Sequence, residues 1–142
     1  MSKFTYAADI PPSIKRELAK AVKPYEWLIP SWCQLVQVNW HPTGKDTVLI
    51  SCAIMYEYRQ AELTFYPLFL SEPEDRRKEH VIHDMLHIFM SVVSDYAYAT
   101  IDRLVPPEEA PKFRDALLEE LRQRNESCVQ DLAHCLNQHL TP

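Results

Sequence analysis

Glycine is almost absent from this chain: Gly44 is the only one among 142 residues. Loops that cradle phosphates need several glycines to bring backbone N–H groups close, so nucleotide binding through such loops is excluded. Long apolar runs are missing as well. Nothing approaches the run of about 18 apolar residues that marks a membrane helix, and no membrane partner is expected. An excess of positive charge is also missing. The formal charge is −5, the wrong sign for neutralising phosphates, so no nucleic-acid partner is expected. The four cysteines, Cys33, Cys52, Cys128 and Cys135, include no C-x-x-C pair. The N-terminus, Met1-Ser2-Lys3-Phe4, has no apolar secretory core and reaches an acid at Asp9. Free thiols in a reducing, cytoplasmic setting are therefore expected, rather than a disulfide framework.

Histidine is what the chain concentrates. Three of its six histidines fall within His80-Val81-Ile82-His83-Asp84-Met85-Leu86-His87. His83 and His87 are spaced to lie on one face of a helix, one turn apart. That spacing lets a single metal ion take two nitrogen ligands from one helix. Asp84 follows the first of them, so the stretch reads His-Asp-x-x-His. This is one methylene short of the His-Glu-x-x-His signature of zinc hydrolases.

The surrounding pattern predicts an α+β fold, with residues 1–142 as a single domain. Residues 12–23 predict a first helix, with Ser13 as N-cap, Ile14, Leu18, Ala21 and Val22 as its apolar stripe, and Pro24 as its end. Leu35, Val36, Val38 and Trp40 predict a strand. His41 to Asp46 predicts a turn, and Thr47 to Tyr58 a long, largely buried strand. Tyr58-Arg59-Gln60 reads as a tight link to a strand over residues 61–66. Short links favour antiparallel neighbours, giving a small antiparallel or mixed sheet of about three strands. Ser71 and Glu74 then read as a capping box. From there Val81, Ile82, Met85, Leu86, Phe89, Val92 and Val93 recur at helical spacing, placing the histidines in a central helix. Helical pieces follow over residues 96–104, 112–123 and 126–139, with Asn125 as a bend or break. Glu108-Glu109, beside prolines, reads as a loop.

Catalytic zinc takes three protein ligands and keeps a position open for water, whose pKa it lowers to near 7. His83 and His87 supply two. Glu126 is the leading candidate for the third, 126 − 87 = 39 residues on and on a helix with an apolar face. Asp131, His134 and Cys135 compete from the same helix, and His80 lies one turn before His83. Asp84 is the candidate general base.

His83-Asp84-Met85-Leu86-His87 followed by Asn125-Glu126 resembles the zincin metallopeptidases, and more closely their gluzincin branch. The chain is also similar to small zincin-like proteins of phages and prophages, through Trp27 to Cys33 and the link Tyr58 to Glu62. The resemblance implies a zincin-like fold, with a strand-rich half before the motif helix and helices after it. It implies Zn²⁺ on His83, His87 and Glu126, Asp84 as base, and a cleft lined further by Tyr96, Tyr98 or Asp102. It also implies hydrolysis of a peptide-like bond in the cytoplasm of a bacterial host. The departure is Asp84 where that family has Glu. Shortening the carboxylate by a methylene retracts it by about 1–1.5 Å, and a misplacement of about 1 Å can cost about 10²-fold in rate. A weakened, partner-binding pseudoenzyme is therefore the alternative expectation.

Overall fold

The structure is a computed structural model and describes residues 2–43, 47–108 and 110–140. Strands β1 (Phe4–Tyr6), β2 (Leu35–Trp40), β3 (Ile50–Met55) and β4 (Gln60–Phe65) form one mixed sheet in the order β1-β2-β4-β3. Helices α1 (Pro12–Val22), α2 (Pro67–Ser71), α3 (Glu74–Leu104) and α4 (Pro111–Leu140) complete an α+β architecture. Residues Gly44 to Asp46 of the expected turn lie outside the described residues, and so does Glu109 of the expected loop.

Side-chain alternation explains the sheet. Val36 and Val38 on β2 and Ala61, Leu63 and Phe65 on β4 are fully buried on one face. These two strands therefore take the centre, and they pair in parallel, Leu35 opposite Gln60 and Trp40 opposite Phe65. The short link works as expected only between β3 and β4, which are antiparallel with Met55 opposite Gln60. β2 does not pair with β3. The strand expected over 47–58 is shorter and no residue of it is fully buried, which suits the sheet edge it occupies. β1, parallel to β2, makes the sheet four-stranded rather than three-stranded. Three residues are too few to declare a period in the sequence.

The turn from β3 into β4 puts Arg59 in the left-handed region (φ 55°), where most side chains are disfavoured. The same residue is tied down twice. Its Nε donates to Trp32 O at 2.8 Å, and its carbonyl accepts from Gln34 N at 2.7 Å. Those bonds offset a local cost that glycine would have avoided.

α1 begins with Pro12 at its first position, so Ser13 is not the N-cap; Pro11 is, without a side-chain cap bond. Pro24 does not stop the coiling but tightens it into a 3₁₀ segment over Lys23–Leu28. Ser71 does not cap α3 either. It ends α2, where its Oγ donates to Leu68 O at 2.7 Å, and Pro73 caps α3 without a side-chain bond. α3 and α4 run unbroken through 31 and 30 residues, with no break at Ser94–Asp95 or at Asn125.

Val81, Ile82, Met85 and Ile88 of α3 are fully buried in one cluster with the sheet residues and with Leu18 and Val22 of α1. The apolar stripe then outruns its cover. Phe89, Val92 and Val93 are 53%, 42% and 64% exposed, because α3 continues past the packed layer. The sheet and α1 thus clamp the half of α3 that carries the histidines, and α4 lies along its other side.

Candidate metal centre

His83 and His87 leave α3 on the side facing α4. Their rings sit 4.7 Å apart at 70°, with the two Nε2 atoms 3.0 Å apart. Glu126 approaches from α4, placing Oε2 3.5 Å from His83 Nε2 and Oε1 3.3 Å from His87 Nε2. The chain positions all three from below. Met85 and Ile88 bury the opposite face of α3, and Val129, less than one turn beyond Glu126, is fully buried. These apolar anchors fix the rotation of each helix and so the direction of its ligands.

The three donor atoms form a group close enough to hold a metal ion, all within 4.8 Å of one another. The two Nε2 atoms stand 3.0 Å apart, and each faces a different oxygen of Glu126, at 3.5 Å for His83 and 3.3 Å for His87, so the carboxylate spans both rings. The imidazoles are 20% and 18% exposed and the Glu126 side chain 45%, so the group opens to solvent on the α4 side.

One feature departs from well-supported histidine ligands, which usually donate their second ring nitrogen to an acceptor. His83 Nδ1 is buried without a hydrogen-bond partner. Gln130 lies beside the ring and favours its charged form, yet is not within hydrogen-bonding geometry of Nδ1. Gln130 Nε2 instead donates to Glu79 Oε1 at 3.0 Å. Burial first, and then the neighbouring His87, hold the His83 imidazole below its ordinary pKa. The neutral ring is the form that ligates.

Asp84 shares the cleft. With Cys52, Ile54, His83, His87 and Glu126 it lines a cavity of about 350 Å³. Desolvation, followed by the negative charge of Glu126, pushes its carboxyl up to about 7. Cys52 and Ile54 were not foreseen as cleft residues. Their signal was the alternation of β3, which turns both to the same face. Burial and the nearby Asp84 raise the Cys52 thiol, so it stays protonated.

The competing ligands fall away. His134 turns toward Glu79, at 3.9 Å, and its Nε2 meets Gln138 Nε2 at 2.8 Å. Asp131 lines the outer side of Glu126, and Cys135 is exposed. His80 lies close enough to lower the His83 pKa further but does not join the ligand group. The expected further lining is also not there. Tyr96 is exposed, and Asp102 is paired with Arg114. Tyr98 lies near Arg122. These positions start two and a half turns past His87, about 13 Å along the helix axis. No protein-family model, curated protein or solved structure matches the chain.

Proposed function

We propose that this chain is a small zincin-like zinc hydrolase acting on a peptide-like bond. The observation that carries the reading is the convergence of His83 and His87 from α3 with Glu126 from α4, close enough together to hold one ion. His83 Nε2, His87 Nε2 and one Glu126 oxygen would hold it. A zinc ion, when bound, supplies a Lewis acid that makes water more acidic and polarises a carbonyl. Asp84 contributes the proton acceptor. Burial and Glu126 hold this carboxyl up at about 7 in the metal-free cleft, and the positive charge of a bound ion would bring it down, leaving an ionised carboxylate to take the proton. Cys52 and Ile54 wall the cleft from the β3 side.

The test is metal content and peptidase activity of the purified protein beside His83→Ala and Asp84→Ala. One zinc per chain in wild type and none in His83→Ala is expected, with activity abolished by a chelator and restored by zinc. A wild type that neither retains zinc nor responds to it removes the reading.

The length of Asp84 favours a second reading. A carboxylate one methylene short leaves metal binding intact while catalysis falls, and the protein then acts by binding a partner, as a phage accessory protein would. Asp84→Glu separates the two. If it raises hydrolysis strongly over wild type, the native chain is the weakened form.

A further inference from the structure

A second cavity lies away from the histidines, between α1, the 3₁₀ segment that follows it and the first turns of α3. It is a groove of about 200 Å³, open to solvent, and shares no lining residue with the metal cleft. That volume equals about six or seven liquid waters, enough for a carboxylate carried on one ring. Its charged lining is Lys20, Arg77 and Lys78 against Glu17 and Glu74, three cations to two carboxylates. Lys78 is engaged by Glu74 at 3.5 Å and by Asp75 at 3.9 Å. Lys20 and Arg77 have no acid within salt-bridge reach among the described residues. The Arg77 Nε–H is also buried with no acceptor. That atom is closed to water and to a ligand alike, so the terminal N–H groups of the guanidinium, which no acid among the described residues engages, are the ones a carboxylate in the cavity can take. Tyr25 lines the groove beside these groups, and burial raises its phenol pKa, so it stays neutral.

We infer that this cavity binds a small organic monoanion, a carboxylate on a planar apolar body, with the carboxylate on Arg77 and Lys20 and the body against Tyr25. The two lining carboxylates select against a dianion, because the net charge of the lining is only +1. The Arg77 fork and the Lys20 ammonium reject neutral isosteres, which leave both cations unsatisfied.

The probe is sodium benzoate, titrated into ¹⁵N-labelled full-length protein. Saturable shifts confined to the neighbourhood of Tyr25 and Arg77 are expected. Arg77→Met weakens binding at least 10-fold, and benzyl alcohol produces no saturable shift. Lys20 is exposed, so Lys20→Met keeps the fold and gives an independent reading, with a weakening of at least 3-fold. His83→Ala binds benzoate as wild type does. Shifts that stay linear and scattered, benzyl alcohol binding as well as benzoate, or inorganic phosphate binding more tightly than benzoate would each overturn the inference. So would Arg77→Met and Lys20→Met both retaining wild-type affinity.

Discussion

His87 Nε2 points at His83 Nε2 across 3.0 Å, so the two rings aim the same atom at the same point. With no ion between them, one ring must carry its proton on Nε2 to avoid opposed lone pairs. With an ion, both carry it on Nδ1. The tautomers therefore report occupancy. In ¹⁵N spectra, zinc is expected to convert the ring that carries its proton on Nε2 to the Nδ1–H form, so that both rings then share it, and Glu126→Gln is expected to weaken that conversion by about 10-fold or more, because a ligand carboxylate is lost. Unchanged tautomers at saturating zinc would refute ligation through these atoms.

Zinc should also stabilise the fold. Binding that favours only the native state adds about 2.7 kcal/mol at a free concentration 100 times Kd. For a chain of this length that corresponds to a rise of about 5–10 °C in Tm. His87→Ala and Glu126→Ala should lose the rise while melting as cooperatively as wild type. A rise that survives both substitutions would place the zinc elsewhere.

The metal-free protein should show a pH dependence that belongs to Asp84. Its folded pKa, about 7, lies above that of a free carboxyl. The protonated group therefore contributes stability that is fully present below about pH 4 and is lost as pH rises through about 7. His83 acts in the other direction. Its folded pKa is depressed by burial and by His87, so its contribution is present above about pH 6.5 and is lost as pH falls. Urea melts from pH 4 to 8 should show Asp84→Asn gaining on wild type toward neutral pH. Parallel profiles would mean that the carboxyl is not held in its neutral form.

Packing should discriminate along α3. Ile82 is fully buried, and Ile82→Ala is expected to cost about 2–5 kcal/mol. Val93 is 64% exposed on the same helix, and Val93→Ala should stay within about 0.5 kcal/mol. Similar costs in chemical denaturation would mean that the outer part of the helix is covered in solution.

The motif helix was legible because its period and its chemistry coincide. Val81, Ile82 and Met85 mark the buried face, and the histidines fall on the side left for another helix. Glu126 was legible as one candidate among several, and only the packing of α4 on α3 separates it from Asp131, His134 and Cys135. The sheet order was not legible. Sequence adjacency argues for β2 beside β3, whereas burial of Ala61, Leu63 and Phe65 puts β4 in the middle and moves β3 outward. The cleft role of Cys52 follows from that exchange, because an outer β3 lies against α3. The helix ends failed for a local reason. Ser13 and Ser71 are good caps in isolation, but the prolines beside them set the backbone first.

The candidate ligand group is divided between two helices, and this fixes when it can close during synthesis. Both imidazoles leave the ribosome ahead of residue 126, which follows 39 residues later. At about 5–20 residues per second that is a delay of about 2–8 s. During it the nascent chain offers two nitrogens and no carboxylate partner from α4. If the three side chains hold an ion, its tight retention would begin only once the last helix has docked, and loading would then report finished folding.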